Sequence, residues 1–174
     1  MVRLRPFKDC DSQYLIKWME DEKTFVKWCA NHLEYPLTYK QCIEYKKKHD
    51  DKEESWIFPA LSEEGNIIGH VLFDKMNFEV SSIHLGHIIV DSTNRGNGIG
   101  KEMLKTSLFY AFNILQVDKV TLTVFDNNDI AKSCYTNVGF NVYEYYPEYY
   151  PYKDEKWGCY FMEISRRDFV KNKS

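Results

Sequence analysis

Ile88-Ile89-Val90-Asp91-Ser92-Thr93-Asn94-Arg95-Gly96-Asn97-Gly98-Ile99-Gly100-Lys101 is the stretch on which the reading of this chain turns. The apolar run 88–90 predicts the end of a buried strand. The polar residues 91–94 turn the chain, and an arginine with three alternating glycines opens a helix. Glycine adopts positive φ freely and lets the backbone approach a ligand closely. The helix behind it offers unpaired N–H groups and the positive end of its dipole. Together these suit a phosphate or pyrophosphate. A strand-to-helix turn without a ligand is the plainer reading. However, three glycines between positions 96 and 100 weaken a helix start unless the backbone must come near something.

Spacing separates the glycine loops that bind phosphates. A dinucleotide fingerprint, G-x-G-x-x-G, would need a third glycine where Lys101 stands. A Walker A loop would need glycine at position 95 and Ser or Thr after Lys101, but the chain has Arg95 and Glu102. What remains is Arg-x-x-Gly-x-Gly between a strand and a long helix.

The periodicity around this loop predicts α+β elements. Upstream, residues 2–7 alternate as a first strand, and Asp9 or Asp11 can cap a helix carrying Tyr14, Leu15, Trp18 and Met19. Residues 22–29 predict a second helix, and Thr38 opens a third that runs to about His49. Strands are expected at 56–61 and 67–73 about a turn at 63–66, then at 83–90 after a polar connection at 74–82. Downstream, 98–115 fits a long amphipathic helix and 119–125 a strand. A helix capped within 126–129 should end before Gly139. Two last strands, 140–146 and 157–164, are expected around a Tyr/Pro-rich loop.

The 174 residues fit one domain spanning 1–174, and no repeat or linker interrupts it. A net charge of -3 and a pI near 6.0 argue against a general nucleic-acid binder. No apolar run approaches a membrane span, and no signal peptide is seen. Five scattered cysteines without a C-x-x-C pair suit reduced thiols in a cytoplasmic protein.

Arg95, Gly98 and Gly100, with Asn128-x-x-Ala131-x-x-x-Tyr135-x-x-x-Gly139-Phe140 on the helix after the next strand, resemble the GCN5-related N-acetyltransferase superfamily. The order of elements agrees over the whole chain. The opening Arg3-Leu4-Arg5-Pro6 with Trp18 is similar to the branch holding ribosomal-protein and antibiotic acetyltransferases. The resemblance implies a mixed, mostly antiparallel sheet with helices on both faces. It also implies a splayed strand pair holding acetyl-CoA as co-substrate, with no metal. The backbone of Arg95, Gly96, Asn97, Gly98, Ile99, Gly100 and Lys101 would hold the pyrophosphate. Ile88, Ile89 and Val90 would pair with the pantetheine arm, and the amide of Ile89 would face the thioester carbonyl. Asn128 would cap its helix and bond the coenzyme beside Ala131. Tyr135 would be the general acid, where the plain alternative is a packing tyrosine.

Many family members carry a glutamate base at the position His84 occupies. His84 is therefore the first candidate base and His87 the second, with Glu79 and Glu144 in reserve and an ordered water as the alternative. An interior histidine with a backbone partner explains either imidazole equally well. Strand alternation is expected to put His84 and His87 on opposite faces, and no third ligand suggests a metal. The segment 145–152 reads as an aromatic, mildly acidic wall for a cationic amine, a rigid loop covering core, or a homodimer contact. The expected activity is acetyl transfer to a primary amine by direct attack in a ternary complex. An acyl-CoA-binding sensor without turnover is the alternative.

Overall fold

In the computed structural model, which describes residues 1–30 and 32–171, the chain builds one seven-stranded sheet in the order β1-β2-β3-β4-β5-β7-β6. The strands are β1 (Arg3–Leu4), β2 (Trp56–Leu61), β3 (Ile67–Asn77), β4 (Ser82–Val90), β5 (Lys119–Phe125), β6 (Asn141–Tyr152) and β7 (Glu155–Ser165). Every neighbouring pair is antiparallel except β4 and β5. Strand alternation sends each strand's apolar residues to both faces, so the sheet needs a cover on each side. On one face lie α1 (Ser12–Trp18), α2 (Glu22–Cys29) and α3 (Tyr39–Asp50), packing Leu15, Phe25, Trp28 and Tyr45 against Ile57, Leu72 and Ile89. On the other lie α4 (Ile99–Phe109), α5 (Asp129–Val138) and α6 (Arg166–Lys171), packing Leu104, Leu108, Val138 and Phe169 against Val71, Leu85, Leu122 and Ile164. The mixed sheet and its two helical layers match the expected fold class.

β4 carries the irregularity that matters most. His84 pairs with Asp74 and Gly86 with Leu72, but Ile89 pairs with His70 and Val90 with Gly69. One extra residue has therefore entered β4, and His87 with Ile88 opposes Val71 as a β-bulge. His87 sits in the left-handed region at φ 47°. The side-chain alternation inverts there. Ile83 and Leu85 face α4 and α5 before the bulge, whereas Ile88 and Val90 face that side after it. His84 and His87 consequently share the opposite face, which corrects the expectation that strand spacing separates them.

Two strand ends differ from the sequence reading. β3 runs on through Asp74, Lys75, Met76 and Asn77, because its polar side chains there face a cavity or solvent while the backbone ladder continues to Ser82. The Tyr/Pro segment is strand and not loop: Tyr145, Tyr146, Tyr150 and Pro151 pair with β7. Pro147 and Pro151 are tolerated because β6 is the outer edge, where a missing N–H breaks no inner ladder. A register shift between Tyr146 and Tyr150 absorbs the rest, with Glu148 at φ 53°. The C-terminal helix α6 was not anticipated.

Gly69 lets α4 close on the sheet beside the bulge. A Cβ there would stand 2.8 Å from Met103 Sδ and 2.9 Å from the Ile89 carbonyl oxygen. Gly69→Ala should lower stability by about 1–3 kcal/mol, as overpacking does. Urea unfolding checks this, and an unchanged midpoint would show that β3, β4 and α4 are packed less tightly than described.

Candidate active site

β4 and β5 pair only from Ser82–Lys119 to Leu85–Leu122, and beyond that point they part. Asp91 N donates to Ile68 O at 3.0 Å, so residues 91 and 89 direct their backbone groups at β3. Alternation turns Ile88 and Val90 toward the opened side. The Val90 oxygen accepts Arg95 Nε at 3.0 Å, tying the arginine to the strand end. The His87 carbonyl accepts both Trp28 Nε1 (2.7 Å) and His70 Nδ1 (2.8 Å) from the α1–α3 face. A trans peptide points its C=O and N–H in opposite directions, so the Ile88 amide leaves on the other side. The amide expected of Ile89 is thus directed at β3, and the Ile88 amide is the one turned away from it.

The parting strands frame a cavity of about 590 Å³. Gly86, His87 and Ile88 form one wall, Thr123, Asn128, Ala131 and Tyr135 another, and Tyr143, Tyr149 and Phe161 a third. Asn128 caps α5 by accepting the Ala131 amide, so its cap role and its place at the cavity coincide. Tyr135 is buried, its ring against Phe140, and its hydroxyl has no hydrogen-bond partner among the described residues. Burial raises its pKa further above the ordinary value, so it stays a proton donor.

At the C-terminal end of β4 the glycine loop turns into α4. Gly96 (φ 82°) and Gly98 (φ 78°) are left-handed, and Gly98 is the N-cap of α4. A Cβ on either would meet no atom within 4 Å. Protein packing does not demand these glycines. Backbone conformation does, and it leaves the loop face open to a ligand. Asn97 is exposed there, Ile99 packs with Met103, and Gly100 lies 3.5 Å, measured from its would-be Cβ, from Cys134 Sγ. Lys101 lines a separate groove with Lys105 between α4 and α5.

All five histidines (His32, His49, His70, His84, His87) gather on the α1–α3 side of the sheet. Each has its pKa lowered, chiefly by burial: His70 and His84 to about 4, and His87 well below the usual value. His70 donates from Nδ1, which leaves Nε2 unprotonated and buried without a partner among the described residues. His84 Nδ1 shares a hydrogen bond with Thr121 Oγ1 at 3.0 Å, and His87 Nδ1 one with Tyr45 Oη at 3.1 Å. His84, His87 and His32 line the cavity. Glu79 lies in the β3–β4 turn and Glu144 on the outer strand bonded to Tyr146, so neither reserve base reaches it. Among the described residues no group of three or more His, Cys, Asp or Glu side chains could hold a metal. None of their helices is long and apolar enough to cross a membrane.

Trp28, Tyr45 and His70, which fix the bulge, were not singled out by the sequence. Trp28 read as an apolar helix face, and only its indole N–H hinted at a polar duty.

An unpaired strand edge stands across one cavity from a tyrosine donor, and the same strand runs on into a glycine-cradled helix start, an arrangement that suits a long ligand with a phosphate head and a reactive end. The chain belongs to the Acetyltransferase (GNAT) family, whose model matches residues 9–140. It is 28% identical over 117 residues to the spermine/spermidine N(1)-acetyltransferase of Bacillus subtilis, covering 63% of this chain and 73% of that protein. It is 30% identical over 87 residues to an uncharacterized N-acetyltransferase of Methanocaldococcus jannaschii, over 50% of this chain and 54% of that one. The crystal structure of spermidine N-acetyltransferase from Vibrio cholerae in complex with CoA and spermine superimposes with a TM-score of 0.85 at 20% identity. That match covers 97% of this chain and 98% of that one. The chain is an acetyl-CoA-dependent N-acetyltransferase. The Bacillus subtilis and Vibrio cholerae relatives are named for polyamines.

His70 ties this site to stability. Its folded pKa of about 4 lies below the ordinary 6.5. The unfolded chain therefore binds the extra proton between those values, and folding stability falls as pH drops from 6.5 toward 4. Each such histidine contributes up to about 1.4 kcal/mol per pH unit in that window. Urea midpoints should be flat above pH 7 and drop below 6.5, with a shallower slope in His70→Asn. An equal slope in the variant would contradict the assignment.

Proposed function

We propose that the chain brings acetyl-CoA and a primary amine together in a ternary complex and transfers the acetyl group by direct attack. The observation that carries this is the unpaired edge of β4 at Ile88, across one cavity from Tyr135, on the strand whose end runs into the glycine loop. The N–H groups of residues 95–101 and the α4 dipole would hold the pyrophosphate. The backbone of Ile88 and Val90 would pair with the pantetheine arm. Acetyl-CoA supplies the acetyl group as a thioester, whose sulfur departs as a thiol.

The remaining tasks fall to this chain's residues. The Ile88 amide donates to the carbonyl oxygen as negative charge grows there. Tyr135, held protonated, gives its proton to the departing sulfur. An incoming ammonium must shed a proton before it attacks. That proton leaves to water, since His84, neutral with a pKa of about 4, lies four residues back along β4 from Ile88. Lys48, Lys52 and Lys75 line the same cavity toward His84. Cys134 supports no acyl-enzyme, because burial raises its thiol pKa and it packs toward Gly100. The partnerless hydroxyl of Tyr135 disfavours a coenzyme sensor without turnover.

Tyr135→Phe should lower kcat about a hundredfold, in the range for a lost general acid, and leave the acetyl-CoA Kd unchanged by calorimetry. An unchanged kcat would remove Tyr135 as the acid. With His84 neutral above pH 5, kcat/KM should show no His84 limb between pH 5 and 8, and a limb lost in His84→Ala would contradict this.

A further inference from the structure

The acceptor end of the cavity carries a charge that a polyamine would not choose. The phosphate loop follows Val90, and His84 lies six residues back along β4, about 20 Å away at strand rise. Around His84 stand Lys48 and Lys52 at the end of and just beyond α3, and Asp74 and Lys75 on β3, all lining the same cavity. Lys52 lies 3.8 Å from Asp74, which also faces His49 at 3.9 Å. Lys48 and Lys75 have no hydrogen-bond or ion-pair partner among the described residues. Three cations thus surround one carboxylate, and the neighbouring histidines are neutral. The same lysines help hold His32, His49 and His84 uncharged.

The acidic residues that would suit a cationic acceptor are elsewhere and already engaged. Glu144 accepts from Tyr146, Glu148 pairs with Lys156, and Glu155 accepts from Lys23 and Trp157. Asp126 accepts from Tyr145 at 3.0 Å, and Glu22 pairs with Lys153. None of these carboxylates lines the cavity. Of the cavity's cations only Lys27 is far from this end, held by the Asn127 carbonyl at 2.8 Å.

Resting on the acetyl-transfer reading above, we propose that the acceptor is a primary amine that also carries an anionic group, a carboxylate or a phosphate. Its amine is presented at the Ile88 bulge and its anion at Lys48, Lys52 and Lys75. Ile88 and His84 are four residues apart, about 13 Å along the strand, and the flexible lysine stems shorten that gap. The anion therefore stands several bonds from the amine. The surplus positive charge does two things at once. It pairs the anion, and it turns away multiply charged polyamines by like-charge repulsion.

The test uses the full chain with four amine probes: 6-aminohexanoate, O-phosphoethanolamine, hexylamine and spermidine. Thiol release with acetyl-CoA gives kcat/KM, and calorimetry on the CoA-loaded protein gives probe affinity. At least one anionic amine should exceed both hexylamine and spermidine by about tenfold in both readouts, the scale of one well-placed charge contact. Which of the two leads tells carboxylate from phosphate. Lys48→Glu/Lys75→Glu, changed at exposed positions, should reverse the order in favour of spermidine and leave the acetyl-CoA Kd unaltered. Spermidine preferred by the unmodified protein, or an order indifferent to the charge reversal, would overturn the proposal and leave acetyl transfer standing. Preferred binding of the anionic amine without thiol release would support the proposal and instead overturn the transfer reading.

Discussion

The bulge at His87 is the constraint on which the site depends. A left-handed non-glycine residue costs of order 1–3 kcal/mol and persists only where its surroundings over-determine it. Here Trp28 and His70 both donate to its carbonyl, and Tyr45 bonds its ring. Those three side chains come from α2, β3 and α3, so the neighbouring strand and the helical layer on that face together hold a single peptide in place. Two consequences follow from that peptide. The Ile88 amide leaves the β3 ladder, and the side-chain alternation of β4 inverts so that His84 and His87 share the cavity face. Without the extra residue β4 would continue in register, and its inner edge would offer no turned amide to a ligand.

Electrostatics divides the site along β4. Where β4 runs into α4, beyond the residues that line the cavity, charge is handled by backbone: left-handed Gly96 and Gly98 leave an open loop face before a helix N-terminus, which suits a phosphate. At the far end it is handled by side chains, with lysines over a bed of neutral imidazoles. Between them lies Tyr135, kept protonated by burial. Two anion-favouring ends with an uncharged centre suit a reaction in which a neutral amine meets a thioester.

Much of this was legible in the residues. Arg95, Gly98 and Gly100 located the left-handed loop that opens α4, and the spacing of Asn128, Ala131 and Tyr135 located one wall of the cavity, because local backbone demands leave marks in sequence. The elements from β2 through α5 were legible for the same reason. The bulge was not: His87 is no glycine, and the contacts that force its conformation come from positions 28, 45 and 70. For that reason alternation misplaced His87, and the amide turned away from β3 is that of Ile88 rather than Ile89. The edge strand β6 was hidden by Pro147 and Pro151, which read as loop until the strand's place at the sheet edge is known. The basic acceptor end was invisible because Lys48, Lys52 and Lys75 sit in runs that read as solvated surface.

The most direct measurement is amide hydrogen exchange by NMR on the three isoleucine and valine amides of the bulged end, without and with acetyl-CoA. Ile89, bonded into β3, should be protected in the free protein and change little. Ile88 and Val90 should exchange readily when free and become protected on binding, with the Ile88 resonance moving most. An Ile88 amide that is already protected and indifferent to acetyl-CoA would contradict the role given to the bulge.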